Sequence, residues 1–143
     1  MIDYVNFNGL LFAIVVKNAF NQRGIKFFTD EKFSQQLGYM NRPSGHIIKP
    51  HTHNFVERNI QNTQEVLFIK SGKVRIDFYD SEKEYLESRI LYKGDVILLA
   101  SGGHGFEMLE DSEIIEVKQG PYSGEDDKVC FSQVENKKIR IIE

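Results

Sequence analysis

Glu65-Val66-Leu67-Phe68-Ile69-Lys70-Ser71-Gly72-Lys73-Val74-Arg75-Ile76-Asp77-Phe78-Tyr79 is the stretch that decides the class of fold. In its second half Val74, Ile76 and Phe78 alternate with Arg75, Asp77 and Tyr79. A period of two places successive side chains on opposite faces of a strand, one toward a core and one toward water. Ser71-Gly72 interrupts the run as a turn, so the stretch reads as a β-hairpin.

The same signals repeat outward from the hairpin. Asn8-Gly9 divides residues 1–17 into two strands, a dipeptide suited to a tight turn. Residues 24–34 are ambiguous, because Thr29-Asp30-Glu31 also suits the start of one helical turn. Residues 36–40 and 46–53 read as strands joined by a turn, and the polar residues 54–63 read as a loop. Beyond the hairpin, residues 81–87 form a loop or strand fringe. Strands are expected around Ile90-Leu91 and over 96–99, 104–109 and 113–119, with short additions at 129–131 and 139–142. About ten short strands with regular turns and almost no helix predict an all-β sandwich or barrel.

The bulk properties narrow the function. At 143 residues the chain suits one domain. A net charge of −3 gives no reason to expect a nucleic-acid partner. The apolar run over residues 10–16 is too short to span a bilayer and follows Asp3 rather than a basic segment, so no membrane role is expected. Cys130 is the one cysteine, which excludes an internal disulfide and fits a cytoplasmic protein. A first strand of this kind often lies at a sheet edge, where it can pair with a second subunit, so a homodimer is expected.

Four histidines are present. His51 and His53 are two apart, which on a strand puts both on one face. His46 would then face the other way. Glu65 opens the hairpin, and His104 follows the strand at 96–99. Three imidazoles and one carboxylate suit a borderline divalent transition metal, provided these strands face one another across an interior. Glu57, four residues after His53, competes with Glu65 for the carboxylate role, but no strand or glycine turn follows it. Arg58 would offer a guanidinium at the mouth of the site to a carboxylate or phosphate.

Together these residues resemble the two motifs of the cupins. The first motif is matched by Gly45, His51, His53, Glu65 and Gly72, and the second by Gly94, Gly102, Gly103 and His104. Three features depart from the family pattern. Eleven residues separate His53 from Glu65, far more than is usual; Ala100 stands in a proline slot; and the second motif is one residue short before His104. The resemblance covers about residues 37–120. It implies a single domain over 1–143, folded as a double-stranded β-helix or jelly-roll barrel. In it His51, His53, Glu65 and His104 would hold one divalent metal, Zn, Mn, Fe or Ni.

Residues 115–127 are also similar to the end of the cupin domain in bacterial cupin-type mannose-6-phosphate isomerases. Lys118 departs from that pattern, and Tyr122 keeps its aromatic position. This similarity implies a small polar ligand, sugar-like or anionic, and isomerase or epimerase chemistry. Glu57 and Glu107 are then candidate proton carriers, and Arg58 and Tyr122 candidate ligand contacts. A non-catalytic saccharide-binding module and an Fe(II)-dependent oxygenase remain open as alternatives.

Overall fold

The computed structural model describes the backbone of residues 1–143 and every side chain except those of Glu125 and Asp126. Those two belong to the Gly-Glu-Asp-Asp run of the second resemblance, and their side chains lie outside the described residues. Ten strands follow in chain order: β1 (Ile2–Phe7), β2 (Leu10–Val16), β3 (Gly24–Phe27), β4 (Gly38–Asn41), β5 (Glu65–Ser71), β6 (Lys73–Tyr79), β7 (Tyr85–Tyr92), β8 (Val96–Leu99), β9 (Gly103–Met108) and β10 (Glu113–Lys118). The only helical pieces among the described residues are 3-10 turns at Gly124–Asp127 and Asn136–Lys138. The all-β expectation therefore holds at the level of class. Among the described residues no helix is long and apolar enough to cross a membrane.

The chain forms two compact units, residues 1–20 with 63–143, and residues 21–62. The first unit holds two antiparallel sheets, ordered β1-β2-β8-β5-β10 and β7-β6-β9. They share a core to which the larger sheet gives Val5, Ala13, Leu67, Ile69, Ile97 and Leu99, and the smaller gives Val74, Ile76, Phe78 and Leu91. Among the described residues neither sheet closes on itself.

Strand register decides what reaches the interior at the open side. Val5, Ala13, Leu99, Glu65 and Lys118 lie opposite one another in turn, forming one row across the inner face of the larger sheet. The row is apolar over β1, β2 and β8 and becomes charged on β5 and β10. In the smaller sheet Phe78 faces His104 and Ile76 faces Phe106, which puts His104 and Phe106 on the core side of edge strand β9.

The hairpin turn from β5 to β6 needs glycine. Gly72 has φ 83°, and a Cβ there would run into the Asp111 carbonyl and Ser112. Only glycine enters this region without steric cost.

Residues 129–131 and 139–142 do not form the two strands expected from the sequence. The C-terminal stretch is a strap over the small sheet instead, with one parallel bridge, Ser88 to Ile141. Side chains replace a backbone ladder along most of it. The Tyr79 hydroxyl accepts from the Val134 N–H at 3.1 Å, and the rings of Tyr79 and Phe131 meet edge to face at 5.0 Å. Near it the Arg75 guanidinium grips Asp77 through two bonds of 2.8 and 3.0 Å, and Ser88 donates its hydroxyl proton to the same carboxylate.

In the second unit β3 and β4 pair as antiparallel strands, so the ambiguous segment is a strand over its first four residues, and residues 28–34 form turns and bends with no helix. Residues 46–53 are not a strand, contrary to the sequence reading. Pro43 precedes the segment and Pro50 lies within it, and neither brings an N–H to a ladder. Residues 42–62 are exposed throughout, so no burial offsets the entropy of fixing an extended chain.

Candidate functional site

Glu65 is the first residue of β5, placed by register between Leu99 of β8 and Lys118 of β10. His104 is the second residue of β9, directly after a tight turn at Gly102. That turn has φ 75°, and a side chain at Gly102 would collide with the ring of Phe12. The turn and the register bring Glu65 Oε2 to 3.2 Å from His104 Nε2. The Phe106 ring stands edge to face against the imidazole, 5.4 Å between centroids.

Two further charged residues complete the group. Lys118 Nζ is 3.7 Å from Glu65 Oε1 and 2.5 Å from Asp127 Oδ2. Asp127 ends the 3-10 turn Gly124–Asp127 and also accepts from the Ser123 hydroxyl at 3.3 Å. Each oxygen of Glu65 therefore faces a different nitrogen. The hydrogen bond from His104 is the main reason the Glu65 carboxyl sits below its ordinary value; burial opposes it, and the charge of Lys118 adds to the lowering. Lys118 is pushed up, chiefly by its bond to Asp127, and Asp127 is pushed down by the same bond. All three hold their charges at neutral pH.

These side chains line a cavity of about 650 Å³, with Phe106 and Phe131 among its apolar walls. That volume suits a small molecule. The donors also suit a metal. Two ligands on one ion, with bonds of about 2.1 Å, stand roughly 3 Å apart, and Glu65 Oε2 and His104 Nε2 are 3.2 Å apart. A carboxylate oxygen with an imidazole nitrogen fits a borderline divalent ion.

In the second unit His51 and His53 lie together although no strand carries them, with ring centroids 5.3 Å apart. The Nδ1 of His51 is 2.9 Å from the Lys49 carbonyl oxygen. A carbonyl only accepts, so Nδ1 is the donor in this contact. Within either unit, among the described residues, no group of three or more His, Cys, Asp or Glu is gathered to hold a metal.

The other candidates have different surroundings. Glu107 lies on the face of β9 opposite to His104, and Arg75 holds it at 2.7 Å. It is tied to the network beside the strap and does not face the imidazole. Glu57 and Arg58 are exposed, and Arg58 Nη1 donates to the Val56 carbonyl at 3.3 Å. Tyr122 is exposed as well.

Lys118 and Asp127 stand in the same cavity, and sequence reasoning did not single them out. In β10 Ile115 and Val117 alternate with Glu116 and Lys118, and the sequence assigns neither pair to the interior. The register decides it: Glu116 and Lys118 line the cavity, while Ile115 and Val117 are 53% and 60% exposed. The one available signal was the departure of Lys118 from the family pattern.

Searched against family models, curated proteins and solved structures, the chain matches none.

Proposed function

We propose that the protein is a cytoplasmic cupin-type jelly roll that binds one divalent transition metal and a small polar ligand, sugar-like or anionic, in the cavity of its first unit. Its chemistry is that of an isomerase or epimerase. The observation that carries the reading is the meeting of Glu65 and His104, far apart in sequence, in a cavity of small-molecule size.

The metal, when bound, supplies Lewis acidity toward a carbonyl or hydroxyl oxygen. Glu65 and His104 are the first-unit residues that would hold it. Without metal, the 3.2 Å contact between Glu65 Oε2 and His104 Nε2 holds the two side chains side by side, and a metal would take the place of the proton between them. Phe106 and Phe131 shield one side of the cavity from water, and Lys118 offers a charged donor to a ligand oxygen. A homodimer is part of the reading. Phe68, Ile115 and Val117 leave an exposed apolar surface on the outer face of the larger sheet at β5 and β10, and sedimentation velocity tests whether a second copy covers it.

Elemental analysis of the protein purified without added metal tests the centre. Close to one transition metal per chain in the wild type, lost in Glu65→Ala and His104→Ala, is the expected result. The same measurement on His51→Ala and His53→Ala reads whether the second pair binds the metal too. With metal present, exchange of a substrate C–H proton with solvent deuterium across aldoses, ketoses and oxo acids identifies the isomerase. A wild type that holds no metal and cannot be loaded overturns the metal centre. Binding without exchange would leave a saccharide-binding module.

A further inference from the structure

We propose that Lys118 and Asp127 form a charge gate on the Glu65–His104 pair: the Lys118 ammonium is a resident cation beside Glu65 whose charge opposes a divalent metal there, and Asp127 restrains that ammonium on the far side. The proposal rests on the reading that Glu65 and His104 bind a metal, and it goes beyond that reading by naming what sets the affinity.

Three observations carry it. Lys118 sits directly opposite Glu65 in the β5–β10 register, so the backbone itself directs the ammonium to the carboxylate. The 3.7 Å from Nζ to Glu65 Oε1 is too long for a hydrogen bond but short enough for strong attraction in a partly dry cavity. The same Nζ is 2.5 Å from Asp127 Oδ2, so a second carboxylate already holds the ammonium on the far side.

A divalent ion on Glu65 Oε2 and His104 Nε2 would meet a like charge only a few ångströms away. A neighbouring charge at about 4–6 Å changes proton affinity by one to three decades, and a metal is subject to the same repulsion. Asp127 limits that repulsion by keeping Lys118 to its own side. Glu116 and Lys128 also line the cavity, and the charge of Glu116 adds to the hold on Lys118.

The test is calorimetric titration of Zn²⁺ into the full chain, as wild type, Lys118→Met, Asp127→Asn and the double variant. Each is repeated in a His104→Ala background, and Lys118→Gln serves as a second neutral replacement if Lys118→Met melts early. Lys118→Met is expected to tighten Zn²⁺ by about tenfold or more, and Asp127→Asn to weaken it by a similar factor. The double variant should bind like Lys118→Met alone, since without the ammonium there is nothing to hold. In the His104→Ala background the Lys118 effect should vanish.

Unchanged affinity in both single variants overturns the gate while the metal reading stands. If Asp127→Asn weakens binding equally in the Lys118→Met background, Asp127 is a ligand, and the gate is again overturned. If no variant binds Zn²⁺, or binding survives both Glu65→Gln and His104→Ala, the metal reading fails and the gate falls with it.

Discussion

At the scale of single residues, two buried positions give sharp expectations. Tyr79 is 3% exposed, and burial is the main reason its phenol is pushed above its ordinary 10.0. The fold therefore prefers the neutral phenol. That contribution is complete below the ordinary value and is lost as pH rises through the raised one. Urea unfolding between about pH 9 and 11 should show wild type losing stability faster than Tyr79→Phe; parallel curves would mean that Tyr79 ionises as freely in the fold as outside it. Gly72→Ala forces a side chain into φ 83° and against Asp111 and Ser112. It should cost about 2 kcal/mol in urea unfolding, and an unmoved midpoint would show that the turn relaxes without strain. Sequence reading was also strongest at this scale. The chemistry of Glu65 and His104 was visible from residue type and spacing, because donor atoms are a property of the side chain.

At the scale of elements, alternation proved reliable for which residues share a face and unreliable for which face is buried. In β6, Arg75, Asp77 and Tyr79 lie opposite the core face, as their alternation predicts, yet they are 5%, 0% and 3% exposed. Asp77→Ala should cost about 3 kcal/mol in chemical denaturation, because it leaves the Arg75 guanidinium buried with Glu107 alone. Glu107 is half exposed, so Glu107→Gln should cost only about 1 kcal/mol or less. Equal costs for the two would show that Asp77 is not the principal counter-ion. In β10 the same logic runs in reverse. A strand with mixed faces looks amphipathic to water, but its polar face here meets a cavity.

At the scale of the whole molecule, the division into two units has a direct consequence. Residues 42–62 form no strand or helix, and Phe55 is 97% exposed. Exposed segments without backbone pairing are cut first by proteases. Chymotrypsin should therefore cleave near Phe55 before it reaches β5 or β6, as followed by mass spectrometry over time. First cuts within the β5–β6 hairpin would contradict that order.

By itself the sequence determined the all-β class and the hairpin over residues 65–79, and it singled out Glu65 and His104 as side chains able to act as donors. These follow from local rules: side-chain period, turn dipeptides and ligand chemistry act within a few residues. Only the tertiary structure decided that Glu65 meets His104, that Lys118 and Asp127 join them, and that residues 46–53 form no strand. Each of those outcomes depends on register and burial between segments distant in the chain. A one-residue change of register would turn Glu116 and Lys118 outward and bring Ile115 and Val117 to the cavity, and nothing in β10 alone chooses between the two.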